Sequence, residues 1–389
     1  MAKNKYKIMI VAGEASGDTH AAKLVNALRE SSGDSEIEFF GCAGQKMREA
    51  GVEPVVIADN LAIVGLPEIA KALPGFLRAF SKLKKAAVGR KADAAILVDF
   101  PEFNLKLAKS LKQNGIKVIY YISPQLWAWR KYRKRTIRKY VDLLITILPF
   151  EKDWYAGQGI HNIEYVGSPL AKEVHANTVK IDFLRKHGLA DDAPVVALLP
   201  GSRSTEIWHI MPEMLETAIV MEKRDASLQF VIAAGSRESV DQVNAVITKF
   251  NGKLPTCLSV IHGETYDVLK AADAAAVTSG TATLETGIIG TPMAIVYKTL
   301  NFNYKLIRPV ISVEHFGLIN LIAGERLIKE LIQEDFTAGT LAEEMFRILE
   351  PVENRRLRKR LAEVAHTLGH GGASKRAAEA VLRVIESGA

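Results

Sequence analysis

The sequence predicts an α/β protein made of two doubly wound sheets facing each other across a cleft. Three observations predict this. Short apolar runs recur along the chain, each followed by a small-residue turn and a helical stretch, the signature of repeated βαβ units. At 389 residues the chain is too long for one typical core. The series also begins twice, once near Lys7 and again near Val195, with turns at equivalent edges.

In the first half, Lys7–Val11 reads as a strand. Gly13-Glu14-Ala15-Ser16-Gly17-Asp18 follows, then a helix from about Thr19 to Glu30. The turn lacks the glycine spacing of a dinucleotide fingerprint, so no nicotinamide cofactor is expected. Glu14 and Asp18 disfavour phosphate here and suit sugar hydroxyls. Ser16 and His20 add hydrogen-bonding groups at a strand's C-terminal end, where ligands of doubly wound sheets bind.

Ile37–Cys42 and Val52–Ile57 read as the next strands, with a short helix from Gln45 to Ala50 between them. Between Asn60 and Lys85, Leu66, Ile69, Leu73, Phe76, Leu77 and Phe80 fall near one helical face, flanked by lysines and Arg78. Pro67 and Pro74-Gly75 are expected to break that helix into pieces. Such a face can lie in a membrane interface or pack on the sheet.

Ala94–Val98 is almost free of polar atoms and is therefore a central strand. It ends at Asp99, where low solvation favours a raised pKa suited to a general base. Alternatively, Asp99 or Asn104 caps the next helix. Lys117–Ile122 runs into Ser123-Pro124-Gln125-Leu126-Trp127-Ala128-Trp129. Seven cations then occupy positions 130–139, among them Arg130, Lys131 and Arg133. Aromatics beside cations suit single-stranded nucleic acid, or a phosphorylated amphiphile at an anionic bilayer. Leu143–Ile147 and Ile163–Val166 complete the sheet.

In the second half, Val195–Leu199 leads into Gly201, Ser202 and Arg203, and a helix follows from about Ile207 to Arg224. Arg203 carries a fork that can clamp a diphosphate. Gln229–Ala233 and Leu258–Ile261 repeat the pattern. Ala274–Val277 then runs into Thr278, Ser279, Gly280, Thr281, Ala282 and Thr283, a helix to Ile289, and a strand at Met293–Tyr297. The helix start offers outward amides and about half a positive charge, a place for phosphate, unless Thr there is only an N-cap. Glu285 lies one turn further, within reach of sugar hydroxyls. Asn320 sits in an apolar run and must find partners. Glu330 and Gln333 are expected on a helix, able to reach a ligand. Two terminal helices, near 355–360 and 375–386, are expected to be packed on the surface.

Composition narrows the classes. Hydrophobic content of 48% and charged content of 24% fit a soluble globular protein. Net charge +7 and pI about 9.1 point to an anionic partner. Two distant cysteines, Cys42 and Cys257, make neither a disulfide framework nor a thiolate metal site. The N-terminal stretch does not read as a signal peptide, and no apolar run is long enough to span a bilayer. A cytoplasmic protein is expected. No His/Asp/Glu spacing suits a metal, so none is expected.

Six blocks in order carry a resemblance: Gly13–Asp18, Val98–Asn104, Tyr121–Trp129, Val166–Leu170, Leu199–Arg203 and Thr278–Glu285. Together they resemble the lipid-A-disaccharide synthase family across nearly the whole chain. Leu318-Ile319-Asn320 departs from it, since the family often has proline before the asparagine. The resemblance implies a GT-B glycosyltransferase with no cofactor, condensing UDP-2,3-diacylglucosamine with 2,3-diacylglucosamine 1-phosphate (lipid X) to a β-1,6-linked disaccharide and UDP. It implies an acceptor domain at 1–168, a nucleotide-sugar domain at 169–350, and terminal helices at 351–389 packing back on the body.

Under that reading Asp99 and His20 are the catalytic candidates. Gly201, Ser202, Arg203, Ser279, Gly280, Thr281, Ala282, Thr283 and Glu285 are the UDP-binding candidates. Ser16, Asp18, Asn320, Glu330 and Gln333 are acceptor or sugar candidates. Leu66, Ile69, Leu73, Phe76, Arg130, Lys131 and Arg133 would touch the membrane or a phosphate. The expected partners are the two acylated sugars and the inner face of the inner membrane, not nucleic acid, with oligomerisation open. A UDP-sugar 2-epimerase of the same architecture and a basic nucleic-acid-binding protein are the alternatives.

Overall fold

A computed structural model describes residues 5–58, 66–300 and 314–387, with the side chains of 66–73 left aside. The chain divides into two compact units, Met1–Pro169 with His370–Ala389, and Leu170–Gly369.

The first unit is a seven-stranded parallel sheet. Its strands are β1 (Lys5–Ala12), β2 (Glu36–Ala43), β3 (Glu53–Ile57), β4 (Ala94–Val98), β5 (Lys117–Tyr121), β6 (Leu143–Thr146) and β7 (Ile163–Tyr165), in the order β3-β2-β1-β4-β5-β6-β7. The second unit is a six-stranded parallel sheet. It contains β8 (Val195–Leu199), β9 (Gln229–Ala234), β10 (Leu258–His262), β11 (Ala274–Thr278), β12 (Met293–Tyr297) and β13 (Glu330–Ile332), in the order β10-β9-β8-β11-β12-β13. The winding direction reverses between β1 and β4, and again between β8 and β11. At such a switch the flanking crossovers diverge and leave a crevice outside the strand ends. The Gly13–Asp18 turn, Asp99, the Gly201–Arg203 turn and the Thr278–Thr283 loop each follow one of these four strands.

The central strands form because they are buried on both faces, so β-branched and small apolar residues replace any alternation. All five residues of β4 and all five of β8 are buried. Helices α1 (Ala15–Ser31) and α2 (Gln45–Glu49) follow β1 and β2. Next come α3 (Leu66–Gly89), α4 (Pro101–Lys112), α5 (Lys134–Tyr140) and α6 (Glu151–Gly157). In the second unit they are α7 (Leu170–Glu173), α8 (Lys180–Lys186), α9 (Ser204–Arg224), α10 (Arg237–Lys249), α11 (Thr265–Ala271) and α12 (Thr281–Ile289).

Three expectations are corrected. From Leu66 on, the segment read as broken by prolines is one helix, α3, with Pro74 inside it. Pro74 is exposed, on a side where water can satisfy a carbonyl deprived of its donor. Glu330 opens strand β13, and Gln333 begins a single 3-10 turn, rather than a helix. The helix Ala373–Glu386 is no surface appendage. Its Ala377, Ala378, Ala380 and Val381 have no exposure and share a core with Ile8, Ile10, Leu24 and Leu28 of the first unit. The helix Pro351–His366 belongs to the second unit instead.

Candidate active site

In the first unit, β4 ends at Val98 and Asp99 follows it. Its φ of 44° and the 49° of Phe100 are both left-handed, an unusual pair for residues with side chains. The Asp99 amide donates to Tyr121 O at 3.0 Å. Its carbonyl accepts from Tyr120 Oη at 2.6 Å and Asn104 Nδ2 at 2.8 Å. Burial, with a smaller contribution from the neighbouring Glu14 charge, pushes the Asp99 carboxyl up to about 6. A carboxylate with that pKa is ionised yet basic near neutrality. Phe100 stacks on Phe103 with ring centres 5.5 Å apart. A Cβ on Gly13 would lie 2.4 Å from the Phe100 ring, so glycine lets the two turns close up.

The companion turn behaves differently from expectation. Asp18 is buried, and its carboxylate accepts from the amides of Gly44 at 2.8 Å, Lys46 at 2.8 Å and Met47 at 3.3 Å. It therefore satisfies the orphan amides of α2 and is not left for a sugar. Ser16 is exposed in the first turn of α1, and His20 follows four residues later, on the same face and half-buried. These two remain at the strand tip.

The basic segment is only partly free. Arg130 and Arg133 both donate to Glu102 Oε1, and Arg133 is buried. Trp127 is buried and donates to Glu151 Oε1 at 3.1 Å, so it cannot serve as a stacking platform for bases. Trp129 and Tyr132 remain exposed, with the Arg130 guanidinium 4.3 Å over the Trp129 ring. Lys131, Arg135, Arg138 and Lys139 are also exposed. On α3, Phe76 turns inward, with ring centres 6.0 Å from Phe100 and 6.1 Å from Phe103. Leu77 is exposed, as is Val88 near the end of the helix. The side chains of Leu66, Ile69 and Leu73 lie outside the described residues.

The second unit carries a cavity of about 430 Å³ at its switch point. Gly201, Ser202, Arg203 and Glu206 line it from the β8 side, and Thr278, Ser279, Gly280, Thr281, Ala282 and Glu285 from the β11 side. Two helices thus begin at the cavity, α9 and α12, and each turns its first amides outward. Gly280 has φ 151°, a conformation that suits glycine.

Not every expected donor is available. Thr283 Oγ1 has no exposure and donates to Gly280 O at 2.9 Å. Ser279 Oγ donates to Phe316 O at 2.8 Å. Glu206 Oε2 accepts from the amides of Ser202 at 3.2 Å and Arg203 at 3.3 Å, so an incoming phosphate would compete with it there. Arg203 is 80% exposed, and its Nη1 donates to Glu206 Oε1 at 3.4 Å. Glu285 accepts from Tyr266 Oη at 3.2 Å, and burial raises its carboxyl pKa. Burial and the facing Glu285 push Tyr266 up to about 12. The reading of the sequence missed Tyr266. Nothing in Thr265-Tyr266-Asp267 announces a partner 19 residues later. Glu206, three residues after Arg203, does carry the spacing of a capping box.

Asn320, Glu330 and Gln333 are corrected from ligand contacts to braces. Asn320 is fully buried. It donates to Ile328 O at 2.7 Å and Glu330 Oε1 at 3.0 Å, and accepts from Ile328 N at 2.8 Å. Glu330 Oε1 also accepts from the amides of Phe316 at 3.0 Å and Gly317 at 2.9 Å. Gln333 exchanges two hydrogen bonds with the Thr299 backbone, at 2.7 and 3.0 Å. Together Asn320 and Glu330 fix the Phe316 loop, whose carbonyl holds Ser279 beside the cavity.

The lipid-A-disaccharide synthetase family model matches residues 8–384. A lipid-A-disaccharide synthase from Syntrophus aciditrophicus is 41% identical over 384 residues, covering 98% of this chain and 99% of the relative. The chain belongs to the lipid-A-disaccharide synthase family. A second member, from Myxococcus xanthus, is 41% identical with 99% of each chain covered. The protein is therefore a glycosyltransferase of lipid A disaccharide synthesis. Solved structures place the synthase fold in the GT-B class. The Neisseria meningitidis UDP-GlcNAc 2-epimerase bound to UDP-GlcNAc matches with TM-score 0.61 at 13% identity, covering 98% of this chain and 100% of that one. Acinetobacter baumannii MurG matches at 0.57 and 14%, covering 98% and 99%. At such identities the likeness is one of fold, so family membership, not the epimerase likeness, decides between the enzyme readings.

Proposed function

We propose that this synthase transfers 2,3-diacylglucosamine from UDP to the 6-hydroxyl of 2,3-diacylglucosamine 1-phosphate, with inversion, giving the β-1,6-linked disaccharide 1-phosphate and UDP. The observation that carries the reading is the cavity at the second switch point, where two helix starts and Arg203 converge. The UDP diphosphate sits against the amides of Thr281 and Ala282 and under the Arg203 fork. Glu285, oriented by Tyr266, takes ribose hydroxyls. Asp99 accepts the proton of the acceptor hydroxyl as that oxygen bonds to the anomeric carbon. The bond from that carbon to the diphosphate breaks, and its electron pair leaves with UDP. Amide donors and Arg203 stabilise the departing charge. Ser16 and His20 orient the sugar from the Asp99 side.

Among the described residues no helix is long and apolar enough to cross a membrane. Exposed Trp129, Tyr132, Leu77 and the four exposed cations of 131–139 support peripheral attachment to the cytoplasmic face of the inner membrane. Flotation with anionic vesicles at low salt tests this, and absence of binding would sink it. Substrate identity is tested by UDP release, which should require both UDP-diacylglucosamine and the acylated glucosamine phosphate. Release or isomerisation of the nucleotide sugar without acceptor would favour the epimerase instead.

A further inference from the structure

We infer that Asn104 and Tyr120 are positioning residues, which hold the peptide after Asp99 in its left-handed form and so aim the carboxylate. The inference rests on the reading of Asp99 as the base. Asn104 has no exposure, so it cannot touch substrate. It is not a helix cap either. A cap accepts from amides at the helix start, whereas Asn104 Nδ2 donates backwards, to Val98 O at 3.1 Å and Asp99 O at 2.8 Å. Tyr120, from the neighbouring strand and also fully buried, donates to the same Asp99 carbonyl at 2.6 Å.

One carbonyl at the tip of the central strand thus receives two buried side-chain donors. The backbone there needs them. Two consecutive non-glycine residues lie at φ 44° and 49°, a conformation that persists only where its surroundings over-determine it. Phe100, wedged over Gly13 and stacked on Phe103, holds the far side of the same peptide. Remove a donor and the peptide can rotate toward the common right-handed form, swinging the carboxylate away from the acceptor hydroxyl. Misplacement by about 1 Å can cost about a hundredfold in rate.

The test is a double-mutant cycle on kcat, with nucleotide-sugar KM measured alongside. Asn104→Ala should lower kcat about a hundredfold and Tyr120→Phe about tenfold, each with KM unchanged. Placed on Asp99→Asn, both should lose nearly all further effect, because a residue acting through Asp99 has nothing left to position. An undiminished effect on that background, or a parallel rise in nucleotide-sugar KM, would overturn the inference alone. Full turnover by Asp99→Asn itself would overturn the base assignment and this inference with it. Tyr120→Phe removes one hydroxyl and keeps the ring, so it carries the test should Asn104→Ala fail to fold.

Discussion

The two switch points solve opposite problems with opposite materials. In the first unit the site is made of side chains. A carboxylate on a left-handed turn is pinned by Tyr120 and Asn104 and raised by burial. In the second it is made largely of backbone, with Arg203 and Glu285 beside it. Two helix starts surround a cavity, and hydroxyls that look like ligands in the sequence are spent on carbonyls. Under the proposed roles, the difference follows from the charge each would handle. A base needs one poorly solvated group held in one direction. A diphosphate needs many weak donors spread around it, which helix starts provide without a desolvation cost. Damage should therefore be steep and local in the first unit, shallow and distributed in the second.

The largest expected effect breaks the comparison if absent. Asp99→Asn should lower kcat by about a thousandfold and leave UDP binding unchanged in calorimetry. Near-normal turnover by the folded variant would remove the first site from the mechanism. Arg203→Ala should act more gently. It should raise nucleotide-sugar KM about tenfold, as expected for one charge-assisted contact among several, and unchanged kinetics would count against the clamp. Glu14→Gln sharpens the account of Asp99. For the wild type, kcat/KM should rise with pH through about 6 and flatten above it, since the base must be ionised. Removing the Glu14 charge takes away the lesser of two raising causes, so the inflection should move to lower pH but stay above the ordinary carboxylate range. An inflection that stays put would place Glu14 outside the field of Asp99.

The smallest effect concerns stability. Burial lifts the Glu151 carboxyl to about 7, against lowering hydrogen bonds led by Trp127. A group raised above its unfolded value of 4.5 favours the folded state below that value, and its contribution is lost as pH rises toward 7. Glu151→Gln should therefore flatten the fall in Tm between pH 5 and 8. An identical fall in both proteins would show that Glu151 does not titrate on unfolding.

The parallel architecture was legible because buried strands such as Ala94–Val98 and Val195–Leu199 announce themselves by lacking polar atoms. The strand tips were legible for the same reason: a carboxylate or glycine turn directly after such a run has one place to go. What was hidden depends on contacts distant in sequence. Asp18 reads as a sugar ligand until Gly44 and Lys46 fold onto it. Asn320 and Glu330 read as polar reach until their partners prove to be Ile328 and Phe316. Pro74 reads as a helix breaker, but tertiary packing of Phe76 and Phe80 against Phe103 outweighs the lost hydrogen bond.

The helix Ala373–Glu386 has a consequence for biosynthesis. It covers the β1–α1 face of the first unit, yet it is translated only after all of Leu170–Gly369. The face of the first sheet that it covers, which includes Ile8, Ile10 and Leu28, therefore lacks that cover until the end of synthesis. The part of the protein made first is the part that must wait, and during that interval its uncovered surface is open to chaperones.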